Sequence, residues 1–552
     1  GSSTLPVLNE RRNFRASCSA VVMPVKHSPE LTIHGCTGQA LVVRYESRIL
    51  ALHQKDIMAH KLFATKSLER ILASGTDEHG HSMKRTLTSG SLIALGIGAI
   101  IGAGLFVRTA AAAAQSAGPA VTLGFIIAAI GCALAGLCYA ELSSSIPISG
   151  SAYTYTYATM GELLAWVIGW DLVLEYAVGA ATVGIAWSEY LNNFLVEIMH
   201  WSPVAYEWCH SPFQTSVDGV SGIMNLPALF IVTVLSLLLI RGTQESALVN
   251  NLIVIVKVAI VVLIIVLGWG FIDVANHTPY IPDATTYVDT EGIVYNYGGF
   301  LGILGAAGTV FFAFIGFDAV STAAQETKDP KRSMPIGILG SLVICTLLYV
   351  LFAHVLTGLV PVEFFRDPTK GGEASVVAAI QEAMPGYGWL SKSVTVAILA
   401  GFSSVILVML LGQSRVFYSM SRDGLLPSLF SQLHPKYKTP YKGNIAILVL
   451  VALFAAFVPG NVVGHMTSIG TLFAFMLVCL AVIILRKTEP DLPRQFKTPW
   501  VPLVPILGVV ACGAMIFGLG KENWIRLGIW LVIGFVIYFG YSRKHSKLHK
   551  HD

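Results

Sequence analysis

One lysine and three carboxylates fall inside long apolar stretches of this 552-residue chain. Lys257 sits in the run Leu252–Leu267. Counted from a helix start near Ala247, it lies about 15 Å into a bilayer, close to the midplane. Snorkelling reaches from helix ends and explains this position poorly. Burial penalises charge, so a lysine at this depth can exchange a proton, and a fixed ammonium can also stand in for a metal cation. Either use makes sodium unnecessary. Glu175, one turn after Asp171, is a second intramembrane acid. It is either the proton partner or a group that satisfies polar neighbours between helices; Asp171 reads as structural. Asp318 is as deep, and a carboxylate there is a functional candidate by default. It can pair with a cationic substrate side chain, or act as the N-cap of the segment Ala319–Ser321, and the two roles are compatible.

Two apolar segments are interrupted near their middles. The first carries Gly96-Ile97-Gly98-Ala99-Ile100-Ile101-Gly102-Ala103-Gly104, and the second Phe311-Phe312-Ala313-Phe314-Ile315-Gly316-Phe317-Asp318. A membrane helix loses backbone hydrogen bonds mid-bilayer only where protein or a watery cavity takes them over. Unwinding the first segment releases amides near Ala103 and Gly104, which suit a carboxylate. The carbonyls near Ala99 and Ile100 suit an ammonium. In the second segment the carbonyls of Phe312, Ala313 and Ile315 complete an amine site, with Phe312 as a hydrophobic lid. Small residues alone also serve helix packing. The recurrence of a break five spans later favours a ligand site at the midplane, as in secondary transporters.

These elements need a membrane body to hold them. The chain is 54% hydrophobic and only 12% charged, against roughly 25% charged for a soluble domain. Apolar runs of about 20 residues recur, which gives an all-α polytopic membrane protein of about twelve spans. Segments of ~10 alternating residues, the mark of a barrel, do not occur. Lys and Arg collect in one set of loops and in the tail, placing both termini in the cytoplasm. One loop predicted to be internal, 147–161, has no Lys or Arg and is polar and aromatic instead. Residues 1–82 form a polar N-terminal segment, part of it disordered or extraneous; Met58 is a candidate start. Residues 83–270 hold spans one to five, 271–299 an external loop, and 300–486 spans six to ten. Residues 487–542 hold two further spans, and 543–552 a basic cytoplasmic tail. Two units of five spans each must lie in opposite orientations, an inverted 5+5 repeat. Eight cysteines give no metal or disulfide framework, no metal site or cofactor is expected, and histidines near the ends read as solvated polar tails.

Several long motifs carry a resemblance. GIGAIIGAGLFV at 96–107, CYAELSSSIPISGSAYTYTYATMGELLAWVIGWDLVLEY at 138–176 and VFFAFIGFDAVSTAAQETKDPKRSMPIGI at 310–338 are three of them. GQSRVFYSMSRDGLLP at 412–427 and PLVPILG at 502–508 are two more. From about Ser82 to Arg543 the chain resembles the amino acid–polyamine–organocation superfamily, and within it the cationic amino acid transporter family, bacterial type. The resemblance implies a LeuT-like fold with alternating access by a rocking bundle. It implies the substrate carboxylate at the first break (Ala103, Gly104) and its amine on carbonyls of both breaks (Ala99, Ile100, Ala313, Ile315). It further implies an aromatic gate at Phe312 and proton coupling through Lys257, in the place of a sodium ion, with Asp318 and Glu175 lining or adjoining the pocket. Ala103 departs from relatives that carry Thr there. The expected function is import of L-amino acids, cationic or small neutral, by proton symport through the plasma membrane. Its partners are the substrate, protons and the lipid bilayer, with no nucleic acid. An amino acid/amine exchanger and an amino acid-sensing receptor are the alternatives; no nucleophile–base pair marks an enzyme.

Overall fold

The computed structural model describes residues 63–73 and 87–548, without positions 149, 217, 242–246, 290–291, 325–326, 368–374, 436 and 438. The candidate start at Met58 lies outside the described residues. Among those described, eight helices are long and apolar enough to cross a membrane. They are Gly104–Ser145, Glu162–Glu197, Leu252–Phe271, Gly299–Thr322, Pro330–Leu359, Gly388–Arg422, Gly460–Thr488 and Lys521–His545. Four shorter apolar helices accompany them: Ser89–Ile100, Leu226–Arg241, Tyr441–Phe457 and Leu503–Gly518. The helix Gly299–Thr322 is central, with 89% of its apolar window buried inside the protein, whereas Lys521–His545 is peripheral at 22%.

Both interrupted segments are broken where the small residues lie. The helix Ser89–Ile100 starts at Thr88, whose side chain accepts from the Ser91 amide, and stops where Ile101 turns extended at ψ 103°. The chain resumes at Gly104–Arg108 as a π-helical turn with no side-chain cap at Ala103. In the second segment the helix Gly299–Val310 tightens into a 3₁₀ turn at Phe311–Phe314. Ile315 is then extended at ψ 135° and Gly316 adopts φ +112°, which favours glycine. A four-residue helix follows at Ala319–Thr322.

Outside the helices, strands Thr285–Val288 and Val294–Tyr297 pair antiparallel, with Thr285 opposite Tyr297. Arg366 lies over the rings of Tyr287 and Tyr297, 4.5 and 4.3 Å from their centroids, and donates to the Ala114 carbonyl at 2.9 Å. The guanidinium thereby fastens the hairpin to the second half of the first broken segment. Arg366→Ala is expected to lower the local opening free energy of the hairpin by about 1–2 kcal/mol, the worth of two partly exposed cation–π contacts. Limited proteolysis within 285–297 reads this directly, and an unchanged cleavage rate would refute it.

Glu141 lies near the end of the helix Val121–Ser145, a position where a carboxylate is ordinarily solvated. It is fully buried, and Arg486 grips it bidentately at 2.9 and 2.7 Å. The Thr498 amide donates to it at 2.7 Å, and Arg494 lies 3.3 Å away. Residues 63–73 also meet the helical body, with the Lys66 amide donating to the Tyr157 carbonyl at 3.2 Å.

Candidate functional site

The two breaks meet. A Cβ placed on Gly104 would overlap the backbone of Ala313, and one placed on Gly316 would press on Ala99. The residues expected to hold a ligand (Ala99, Ile100, Ala103 and Gly104 with Phe312, Ala313 and Ile315) are thus drawn together from two segments far apart in sequence. All seven except Gly104 are among the hydrophobic residues with little or no exposure, and Gly104 is buried as well.

Tyr349, from the helix Pro330–Leu359, joins the breaks. Its hydroxyl lies 2.9 Å from the Ile100 carbonyl and 3.0 Å from that of Ala313. With one proton it donates to either oxygen, and each carbonyl keeps a second lone pair. Sequence reasoning missed Tyr349. Its one signal was a phenol inside an apolar run, since a buried hydroxyl needs a partner.

Lys257 is 3% exposed. Its ammonium donates to the carbonyls of Gly98 at 3.0 Å and Ile101 at 3.1 Å, both at the C-terminal end of the helix Ser89–Ile100, where the first break begins. Gly401 makes room for it, because a Cβ there would crowd the lysine stem. A small cavity beside it is lined by Ile101, Phe106, Ile260, Ala397 and Phe402. No ion pair holds Lys257 among the described residues.

Asp318 occupies the N-cap position of Ala319–Thr322, but its side chain makes no capping hydrogen bond. The Tyr176 hydroxyl donates to its Oδ2, and the carboxyl also lies against that of Glu175. The carboxyl of Glu175 adjoins that of Asp318, with Asp171 next along the same helix. All three acids are fully buried; the Glu175 carboxyl lies beside Asp318 and Thr471, and the Asp171 oxygens have no hydrogen-bond partner among the described residues. The acids therefore cluster with each other, and Glu175 is not joined to Lys257.

Phe312 is 4% exposed and faces the guanidinium of Arg108, 5.7 Å from its ring centroid. Arg108 also donates to the Gly460 carbonyl at 2.6 Å, passing over Gly464, where a Cβ would strike it. Arg108 was missed as well, although an arginine within an otherwise apolar stretch is a visible signal.

Comparison with known proteins bears on this arrangement. The family model described as amino acid permease matches residues 87–538. The chain is 43% identical to the branched-chain amino acid permease BcaP of Bacillus subtilis (strain 168) over 89% of its own length and 100% of the relative's. It is 39% identical to the methylthioribose transporter of the same organism, over 89% and 99%. It is 35% identical to the chloroplastic cationic amino acid transporter 9 of Arabidopsis thaliana, over 80% and 74%. The chain therefore belongs to the amino acid permease family of the amino acid–polyamine–organocation superfamily, whose members are membrane transporters and not enzymes.

Proposed function

We propose that this permease imports L-amino acids through the plasma membrane in symport with protons, by alternating access. In this reading twelve spans form an inverted 5+5 repeat plus two, with both termini cytoplasmic. The substrate carboxylate takes the start of the outer half-helix at Ala103 and Gly104. Its ammonium shares the carbonyls of Ala99, Ile100, Ala313 and Ile315 with the Tyr349 hydroxyl. Phe312 covers the ligand on its outer side, and Asp318 and Glu175 face its side chain. Lys257 binds and releases the coupled proton.

The observation that carries the reading is Lys257: a buried ammonium held by two backbone carbonyls at the first break. Oxygen ligands of that kind would suit a metal cation, and the lysine takes its place with a charge that a proton transfer can remove. Uptake of labelled leucine, alanine and arginine into proteoliposomes under an imposed pH gradient tests it. Uptake that follows sodium and ignores the proton gradient would overturn the coupling, and uptake that requires internal substrate alone would establish exchange instead.

Which side chain is taken is a separate question. The relatives are named for branched-chain and for cationic amino acids, so leucine and arginine are the informative pair. Asp318→Asn is expected to weaken arginine uptake ten- to a hundredfold, the worth of one charge-assisted hydrogen bond, and to spare leucine. Equal loss of both substrates would assign Asp318 to holding Tyr176.

A further inference from the structure

The helix Ser151–Thr159 fills the loop that was singled out for its tyrosines and its lack of basic residues. Its tyrosines face two ways, as residues two apart on a helix must. Tyr155 adjoins Ser321 and Asp318 at the second break and stacks edge-on with Tyr139, their ring centroids 6.4 Å apart. Tyr153 points to the opposite side, where its hydroxyl donates to Asp423 Oδ2 at 2.8 Å. The short helix is therefore a wall between the candidate site and that face of the protein.

A strap crosses the outside of this wall. Lys66 pairs with Asp423 Oδ1 at 2.8 Å, and the two side chains are only 19% and 17% exposed. Its backbone is tied down on both sides: the Lys66 amide donates to the Tyr157 carbonyl at 3.2 Å, and the Glu162 amide to the Ala64 carbonyl at 3.1 Å. Gly161, at φ +90°, lets the strap lie flat, since a Cβ there would overlap the backbone of Phe63. The C-terminal tail closes on the same two acids. Lys547 donates its amide to the Asp423 carbonyl at 3.0 Å, and Ser546 donates its hydroxyl to Glu162 Oε2. Asp423 thus receives the strap, the wall and the tail at once, at the end of the helix Gly388–Arg422.

We propose that the Lys66–Asp423 pair is a latch that holds helix Ser151–Thr159 against the second break and seals the route from Asp318 to the cytoplasmic face. This rests on the transport reading for which face is cytoplasmic. For substrate to leave on this side, Tyr155 must withdraw from Ser321, and the wall cannot move while the Tyr153 hydroxyl is bound to Asp423 and the Tyr157 carbonyl to a strap anchored on the same acid. Lys66 and Asp423 are gating residues and touch no substrate.

The test uses the full chain carrying Ser321→Cys, in detergent, with maleimide labelling followed by peptide mass spectrometry. Lys66→Ala is expected to raise the labelling rate at position 321 about tenfold, the effect of losing a charge-assisted hydrogen bond of ordinary strength. The swap Lys66→Asp with Asp423→Lys is expected to bring it back toward the parent rate. Cys209, buried away from this face, serves as an internal control in the same digest. An unchanged rate in Lys66→Ala, no recovery in the swap, or an equal rise at Cys209 would each overturn the latch. Labelling needs neither substrate nor gradient, so a failure of the transport reading leaves this result standing or falling by itself.

Discussion

Lys257→Met is expected to uncouple transport. With one proton per substrate, one pH unit of gradient is worth 1.36 kcal/mol and sustains about tenfold accumulation. The variant should equilibrate substrate to a ratio near one under the same gradient while still exchanging labelled for unlabelled substrate. Methionine keeps the stem that Gly401 accommodates, so packing is disturbed little. It leaves the Gly98 and Ile101 carbonyls without their donor, at about 1–3 kcal/mol of stability. Accumulation and the thermal midpoint therefore need to be measured together. A variant that still accumulates substrate in proportion to the pH gradient would remove Lys257 from the coupling.

Glu141→Ala is expected to produce the largest loss of stability. Removing one partner of a buried ion pair leaves an uncompensated charge and costs about 3–5 kcal/mol. Here Arg486 would lose both of its carboxylate bonds, and the Thr498 amide its acceptor. Glu141→Gln retains an acceptor for the amide and should fall between. Size-exclusion profiles of the solubilised variants across a temperature series measure the order. An alanine variant as stable as the parent would mean that water replaces the carboxylate without cost.

Glu141 also shows what one-dimensional reading misses. Its position near a helix end suggested solvation, because its partner Arg486 lies 345 positions later and nothing local announces it. Lys257 was legible for the opposite reason: a charge deep in an apolar run is anomalous by itself, whatever it touches. The breaks were legible through glycine, which marks where backbone leaves a helix or comes close to another chain segment. That Gly104 meets Ala313, and Gly316 meets Ala99, was beyond reach, because composition tells which segments unwind and not what they unwind against. Tyr349 was hidden because a tyrosine bridging two carbonyls has the same local sequence as one that merely fills a core. The strap at Lys66 falls within the N-terminal segment that reads as polar and partly disordered or extraneous, and its worth lies entirely in the acid it reaches.

The crossing of the two breaks has a consequence for engineering. At Gly104 and Gly316 backbone touches backbone, so neither position can accept a side chain without forcing the other segment to move. If the proposed site is right, the pair works as a fulcrum: it is the fixed point from which substrate preference must be varied, and not a place to vary it. Libraries aimed at new substrates should leave Ala99, Gly104, Ala313 and Gly316 untouched and diversify the ring of side chains around them. Tyr176, Phe312 and Tyr349 would set its radius.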